Sequence, residues 1–146
     1  MGLIEDLGRG PIALDTAIFI YYIEEHPDYV DLIAPVFVAM DEGRVRAVTS
    51  ALTLLETLVV PYRNTDVSLA ARYEKLLTES RGLQLIEIDR PLLRHAAQLR
   101  AVAGVKTPDA LQLAAGMIGG CKVFLTHDRK LPPIGGLHVL QLGSYL

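Results

Sequence analysis

"PIALDTAIFIYYIEEH", residues Pro11–His26, changes its period in the middle. Pro11–Asp15 is a short apolar run closed by an acid, and it reads as a buried strand. From Thr16 onward the spacing turns helical, with Ile18, Tyr21, Tyr22 and Glu25 on adjacent turns. A buried strand that runs straight into a helix opens an alternating α/β pattern, and the rest of the chain continues it.

Pro27 restarts the chain into "PDYVDLIAPVFVAMDEG", which reads as helix with a bend or break near Pro35. "RVRAVTS" (Arg44–Ser50) is β-branched and short, a strand. Ser50 is placed to cap "ALTLLETLVVPYR", an apolar helix expected to end at Pro61. "TDVSLAARYEKLLTES" is amphipathic and stops at Gly82. "LQLIEI" (Leu83–Ile88) reads as strand, and Asp89 caps "RPLLRHAAQLRAVAG". In "GVKTPDALQLAAG" (Gly104–Gly116), Thr107 can cap and Pro108 suits the first helical position. Gly119 and Gly120 end that helix, "KVFLTHD" (Lys122–Asp128) is a strand, and "LHVLQL" (Leu137–Leu142) is the last one. This order implies a mostly parallel sheet with helices on both faces.

At 146 residues the chain is expected to form a single domain over residues 1–146, large enough to need no staple. The single Cys121 cannot close an internal disulfide, so a reducing compartment is the simpler reading. No apolar run reaches the roughly 18 residues of a membrane span, and the N-terminus lacks a signal-peptide pattern. A cytoplasmic protein without membrane association is expected. The net charge of −3 argues against a protein that coats nucleic acid, though not against an enzyme acting on it through a locally basic cleft.

The acids fall at telling places. Asp15 closes the first strand and Asp128 the fourth, and in open α/β sheets sites form beyond the carboxyl ends of strands where strand order reverses. Asp109 begins the helix that leads into the fourth strand, so its first turn can face the same crevice. Glu56 lies among Leu52, Leu54, Leu55, Leu58, Val59 and Val60, at the edge of the expected buried stripe. A carboxylate there is costly without a cation or a donor, and a metal ion would answer that cost. Each acid also has a plainer reading. Asp15 can serve a turn, Asp109 the helix dipole, Asp128 a surface turn, and Glu56 can be an edge residue. The four histidines lack metal-ligand spacing, and no phosphate-binding glycine loop or nucleophile elbow is present.

"LDTAIFIYYIE", "TSALTLLE", "KTPDALQLAAG" and "FLTHD" together resemble the four acidic motifs of the PIN domain, in the right order and spacing. The resemblance covers nearly the whole chain and is nearest to the short VapC-type toxins of toxin–antitoxin pairs. It implies a three-layer α/β/α sandwich with a mostly parallel central sheet, and a metal-dependent ribonuclease acting on single-stranded or structured RNA. It assigns Asp15, Glu56, Asp109 and Asp128 as the catalytic and metal-holding acids, with Thr16 and Thr126 in supporting positions. His127 falls where asparagine is frequent in the family. Lys106, Arg129 and Lys130 flank these acids and are candidate RNA contacts, while solvated loop charges are an equal reading. An all-oxygen donor set suits Mg²⁺ or Mn²⁺ rather than zinc. A small antitoxin and a homodimer are the expected partners, seated on apolar surface between Thr16 and Met40 that includes Tyr21, Tyr22, Phe37 and Val38.

Other functions stay open at this point. A PIN-fold nuclease of RNA processing outside any toxin pair fits the same residues, as does a non-catalytic acidic α/β binding module. A phosphorylation-controlled receiver fits poorly, because the first strand ends in one acid and the last segment has no lysine. A metal-dependent phosphatase lacks its D-x-D nucleophile motif.

Overall fold

The computed structural model describes residues 2–132 and 134–146. A short helix α1 (Leu3–Leu7) precedes strand β1 (Ile12–Leu14) and helices α2 (Thr16–Ile23) and α3 (Val30–Asp41). Strand β2 (Ala47–Ser50) leads into α4 (Leu52–Arg63) and α5 (Val67–Glu79), and β3 (Leu83–Ile86) into α6 (Arg90–Ala103) and α7 (Thr107–Ile118). Strands β4 (Val123–Thr126) and β5 (His138–Gln141) and a 3₁₀ turn over Leu142–Tyr145 complete the chain.

All strand pairs are parallel, in the order β3-β2-β1-β4-β5. Ile12, Leu14, Ala47 and Leu125 point to one face and pack with Ile18, Phe19, Ile33 and Met40 of α2 and α3. Ala13, Val48 and Phe124 point to the other and pack with Leu92 and Leu99 of α6 and Leu113 of α7. The alternation of side chains along each strand thus feeds two cores, one per face, and gives the three-layer α/β/α sandwich. Helix α7 comes close to β1 because Gly116 has no side chain: a Cβ there would meet Ala13 Cβ at 3.0 Å.

Local signals set most boundaries. Asp66 Oδ1 accepts from Leu69 N at 3.1 Å and Asp89 Oδ1 from Leu92 N at 3.0 Å, the N-caps of α5 and α6. Three details differ from the sequence reading. Helix α3 runs through Pro35 unbroken, because the buried Ile33, Val36, Phe37 and Met40 around it outweigh the ~3 kcal/mol an internal proline costs. Helix α4 continues past Pro61 to Arg63. Asn64 N bonds Val60 O at 3.0 Å and Asp66 N bonds Pro61 O at 2.8 Å, which closes its last turn. In α7, Lys106 holds the cap position without a side-chain bond, and Thr107 is already helical.

The larger difference lies in the faces of α4. Leu55, Val59 and Val60 are 60%, 41% and 52% exposed, whereas Thr53 and Thr57 are buried. Helix α4 turns its threonine side inward toward a polar seam described below. On α2 and α3, by contrast, Tyr22 stacks on Phe37 with ring centres 3.9 Å apart, and Tyr21 stacks on the buried Tyr29 at 5.0 Å. Among the described residues, no helix is long and apolar enough to cross a membrane.

Candidate active site at the carboxyl edge of the sheet

Strand order reverses between β1 and β4, and the residues following these two strands face each other. Asp15 follows β1 and caps α2, with its Oδ1 accepting from Thr16 N at 2.8 Å. Thr126, the last residue of β4, donates from Oγ1 to Asp15 Oδ2 at 2.7 Å. Asp128 N donates to Thr126 Oγ1 at 3.0 Å, and Asp128 Oδ1 accepts from Lys130 N at 2.9 Å. Asp15 therefore serves as a helix cap, where the sequence suggested a turn, and the plainer reading of Asp128 as a turn former is also true. Both roles fix these carboxylates without consuming all their lone pairs.

Glu56 reaches the same edge from α4, and Thr16 Oγ1 donates to its Oε1 at 2.6 Å. Asp109, half-buried in the first turn of α7, is tied to the others by its electrostatics. Burial raises its carboxyl pKa above the ordinary value, the charges of Asp128, Asp15 and Glu56 each raise it further, and Lys106 alone pulls it down. The Asp15 carboxyl is also pushed up, chiefly by burial. Its bonds from Thr126 and Thr16 oppose that rise and the Asp128 charge adds to it. Asp109 thus lies within the field of Asp15, Glu56 and Asp128, and Asp15 within that of Asp128, brought from elements that are distant in sequence. Lys106 stands beside them, while Arg129 and Lys130 are exposed on the loop after Asp128.

Among the described residues the salt bridge is that of Arg44 with Glu42, so none of the four acids is ion-paired. Nor do three His, Cys, Asp or Glu side chains converge to the spacing of a coordination sphere among these residues. Asp15 and Glu56 are held by hydroxyl donors, and Asp128 by the Lys130 amide. The chemistry of the donors fits a hard divalent cation: four carboxylates and no nitrogen or sulfur ligand.

Beneath the acids lies a buried polar seam that the sequence reading did not include. Its centre is Gln112 of α7, 3% exposed, joined by Thr16, Thr49 and Thr53, which are also buried. Its signal was present: Gln112 is the one polar residue in the run "ALQLAAG", a turn beyond Asp109.

A family model described as "PIN domain" matches residues 12–137 of the chain. Solved structures share the fold. VapBC2 from Rickettsia felis, bound to a DNA fragment from its promoter, superposes with a TM-score of 0.69 at 16% identity, covering 89% of this chain and 97% of that one. A toxin–antitoxin complex from Klebsiella pneumoniae gives 0.66 at 19% identity, covering 90% and 97%. VapC20 of Mycobacterium tuberculosis, a toxin that cleaves the sarcin-ricin loop, gives 0.66 at 15% identity, covering 82% and 91%. No curated protein sequence matches the chain.

Proposed function

The chain belongs to the PIN domain family, and from that premise we propose that it is a Mg²⁺- or Mn²⁺-dependent endoribonuclease, the toxin of a toxin–antitoxin pair. It is read as one such domain over residues 1–146. The observation that carries the reading is the placement of Asp15, Glu56, Asp109 and Asp128 at one edge of the sheet, where Thr16 bonds both Asp15 and Glu56 and Thr126 joins Asp15 to Asp128. Four carboxylates repel one another, and a purely structural site has no use for that cost.

Asp15, Glu56, Asp109 and Asp128 would hold the cation. When bound, it supplies Lewis-acid polarisation of a phosphodiester and of the attacking water. The protein's part is positioning. Thr126 and Thr16 orient Asp15, Thr16 orients Glu56, and the Lys130 amide orients Asp128. Asp109 would complete the set from the first turn of α7. Lys106, Arg129 and Lys130 provide positive charge for RNA phosphates around the acidic centre.

The similar solved structures include a toxin–antitoxin complex, which supports a small antitoxin as partner here. For a homodimer, α4 offers the apolar residues Leu55, Val59, Val60 and Tyr62 on its solvent side.

The direct test is cleavage of a labelled RNA by purified protein. Cleavage is expected with Mg²⁺ or Mn²⁺ and not with EDTA. Robust cleavage in excess chelator, with contaminating nuclease excluded, overturns the reading.

A further inference from the structure

We propose that Gln112 is a positioning residue for the carboxylate site, acting on Glu56 through the hydroxyl of Thr16. The inference rests on the nuclease reading above and names a residue that reading does not use.

The amide of Gln112 can be oriented without ambiguity. Ser50 N lies 3.3 Å from one of its terminal atoms, and a backbone N–H can only donate, so that atom is Oε1. The other atom, Nε2, then donates to Thr53 Oγ1 at 2.8 Å and to Thr16 Oγ1 at 3.1 Å. The hydroxyl directions follow. Thr53 accepts from Gln112 and passes its proton toward Thr49 Oγ1 at 2.7 Å, and Thr49 donates to the Leu14 carbonyl at 2.8 Å. Thr16 likewise accepts from Gln112, which leaves its single proton for Glu56 Oε1 at 2.6 Å. Without the Gln112 donor, the Thr16 proton has an alternative acceptor in Thr53 Oγ1, 3.3 Å away. Gln112 thereby anchors the Thr16 oxygen by a donated bond, and Thr16 is the donor that holds Glu56.

The placement also explains why a glutamine lies in the otherwise apolar run Ala110–Gly116. A buried primary amide is costly unless its groups are paired, and here both ends are paired with residues of β2, α2 and α4. Asp109 and Gln112 are three residues apart on α7, so they share a helix face.

The test uses Gln112→Met, Thr16→Val and the double variant, each compared with wild type. RNA cleavage gives kcat and KM, and Mn²⁺ affinity is measured separately by the spectroscopic signal of free Mn²⁺. Each single variant should lose at least 10-fold in kcat with KM changed less than about 3-fold, and should bind Mn²⁺ more weakly. The double variant should be no worse than the weaker single one, because both substitutions break one relay. Losses that multiply, or a folded Gln112→Met protein with wild-type kcat and Mn²⁺ affinity, overturn the proposal. Should Gln112→Met fail to fold, Thr16→Val decides alone, with wild-type kcat and Mn²⁺ affinity overturning it. If wild type binds Mn²⁺ but does not cleave RNA, the nuclease reading fails and the Mn²⁺ titrations still decide the role of Gln112. A wild type that neither cleaves nor binds Mn²⁺ overturns both.

Discussion

Thr126 Oγ1 donates to Asp15 Oδ2 at 2.7 Å, and so joins the end of β4 to the acid that follows β1. Thr126 is fully buried, and its oxygen accepts from Asp128 N in turn. Thr126→Val keeps the shape and removes both roles. It should destabilise the protein by about 1–3 kcal/mol, the cost of leaving buried polar groups unmet. It should also lower cleavage, whereas Thr126→Ser should retain most of both. Urea unfolding together with the RNA assay checks this, and a stable, fully active Thr126→Val variant contradicts it.

The acids at the strand ends were legible in the sequence because a short buried strand followed by a capped helix leaves few places for Asp15 to go. Asp109 was legible through its helix start and Asp128 through the strand before it. The position of Glu56 was foreseen for a reason that does not hold. Hydropathy assigned Leu55, Val59 and Val60 to the core, yet Thr53 and Thr57 are the buried residues. A periodic pattern says that a helix has two sides, and the partner on each side decides which is buried. Here that partner is the polar seam around Gln112, formed by residues from four elements and visible only once they are assembled. Helix α1 also went unread, since two buried leucines, Leu3 and Leu7, are too few to mark a period.

Substitutions on the outer side of α4 test this assignment. Leu55→Lys and Val60→Lys should change the stability of the single chain by no more than about 0.5 kcal/mol, as expected at exposed positions. Ile33→Ala, at a fully buried site of α3, should cost about 2–5 kcal/mol. The same lysines should shift the proposed homodimer toward monomer in light scattering. Loss of several kcal/mol in the monomeric lysine variants would show that α4 buries its apolar side after all.

The raised carboxyl pKa values of Asp109 and Asp15 make a signed prediction about pH. The folded state holds these protons more tightly than the unfolded chain does. The stability they contribute is present below the ordinary value of 3.8 and is lost as pH rises through the raised folded values. Asp109→Asn cannot titrate, so in EDTA its stability relative to wild type should grow as pH is raised from about 4 to 7. Urea midpoints across that range measure the difference. A difference that stays flat, or shrinks, contradicts the burial of Asp109 and the neighbouring carboxylate charges that together raise its pKa.

The central claim is that Asp109 belongs to a carboxylate cluster that binds a cation and is not a first-turn acid serving the helix dipole alone. Thermal melts of wild type and Asp109→Asn, in EDTA and in Mn²⁺, separate the two. A dipole-favoured acid is worth about 0.3–1 kcal/mol. Carboxylates ~5 Å apart at an effective dielectric near 20 repel by about 3 kcal/mol, which solvent at a half-exposed site reduces but does not reverse. In EDTA the variant should therefore melt at the wild-type temperature or above it. Wild type should gain stability when Mn²⁺ binds its folded form, by about 2.7 kcal/mol at 100 times the dissociation constant, and the variant should gain much less. A variant that melts below wild type in EDTA and keeps the full Mn²⁺ shift would contradict the account.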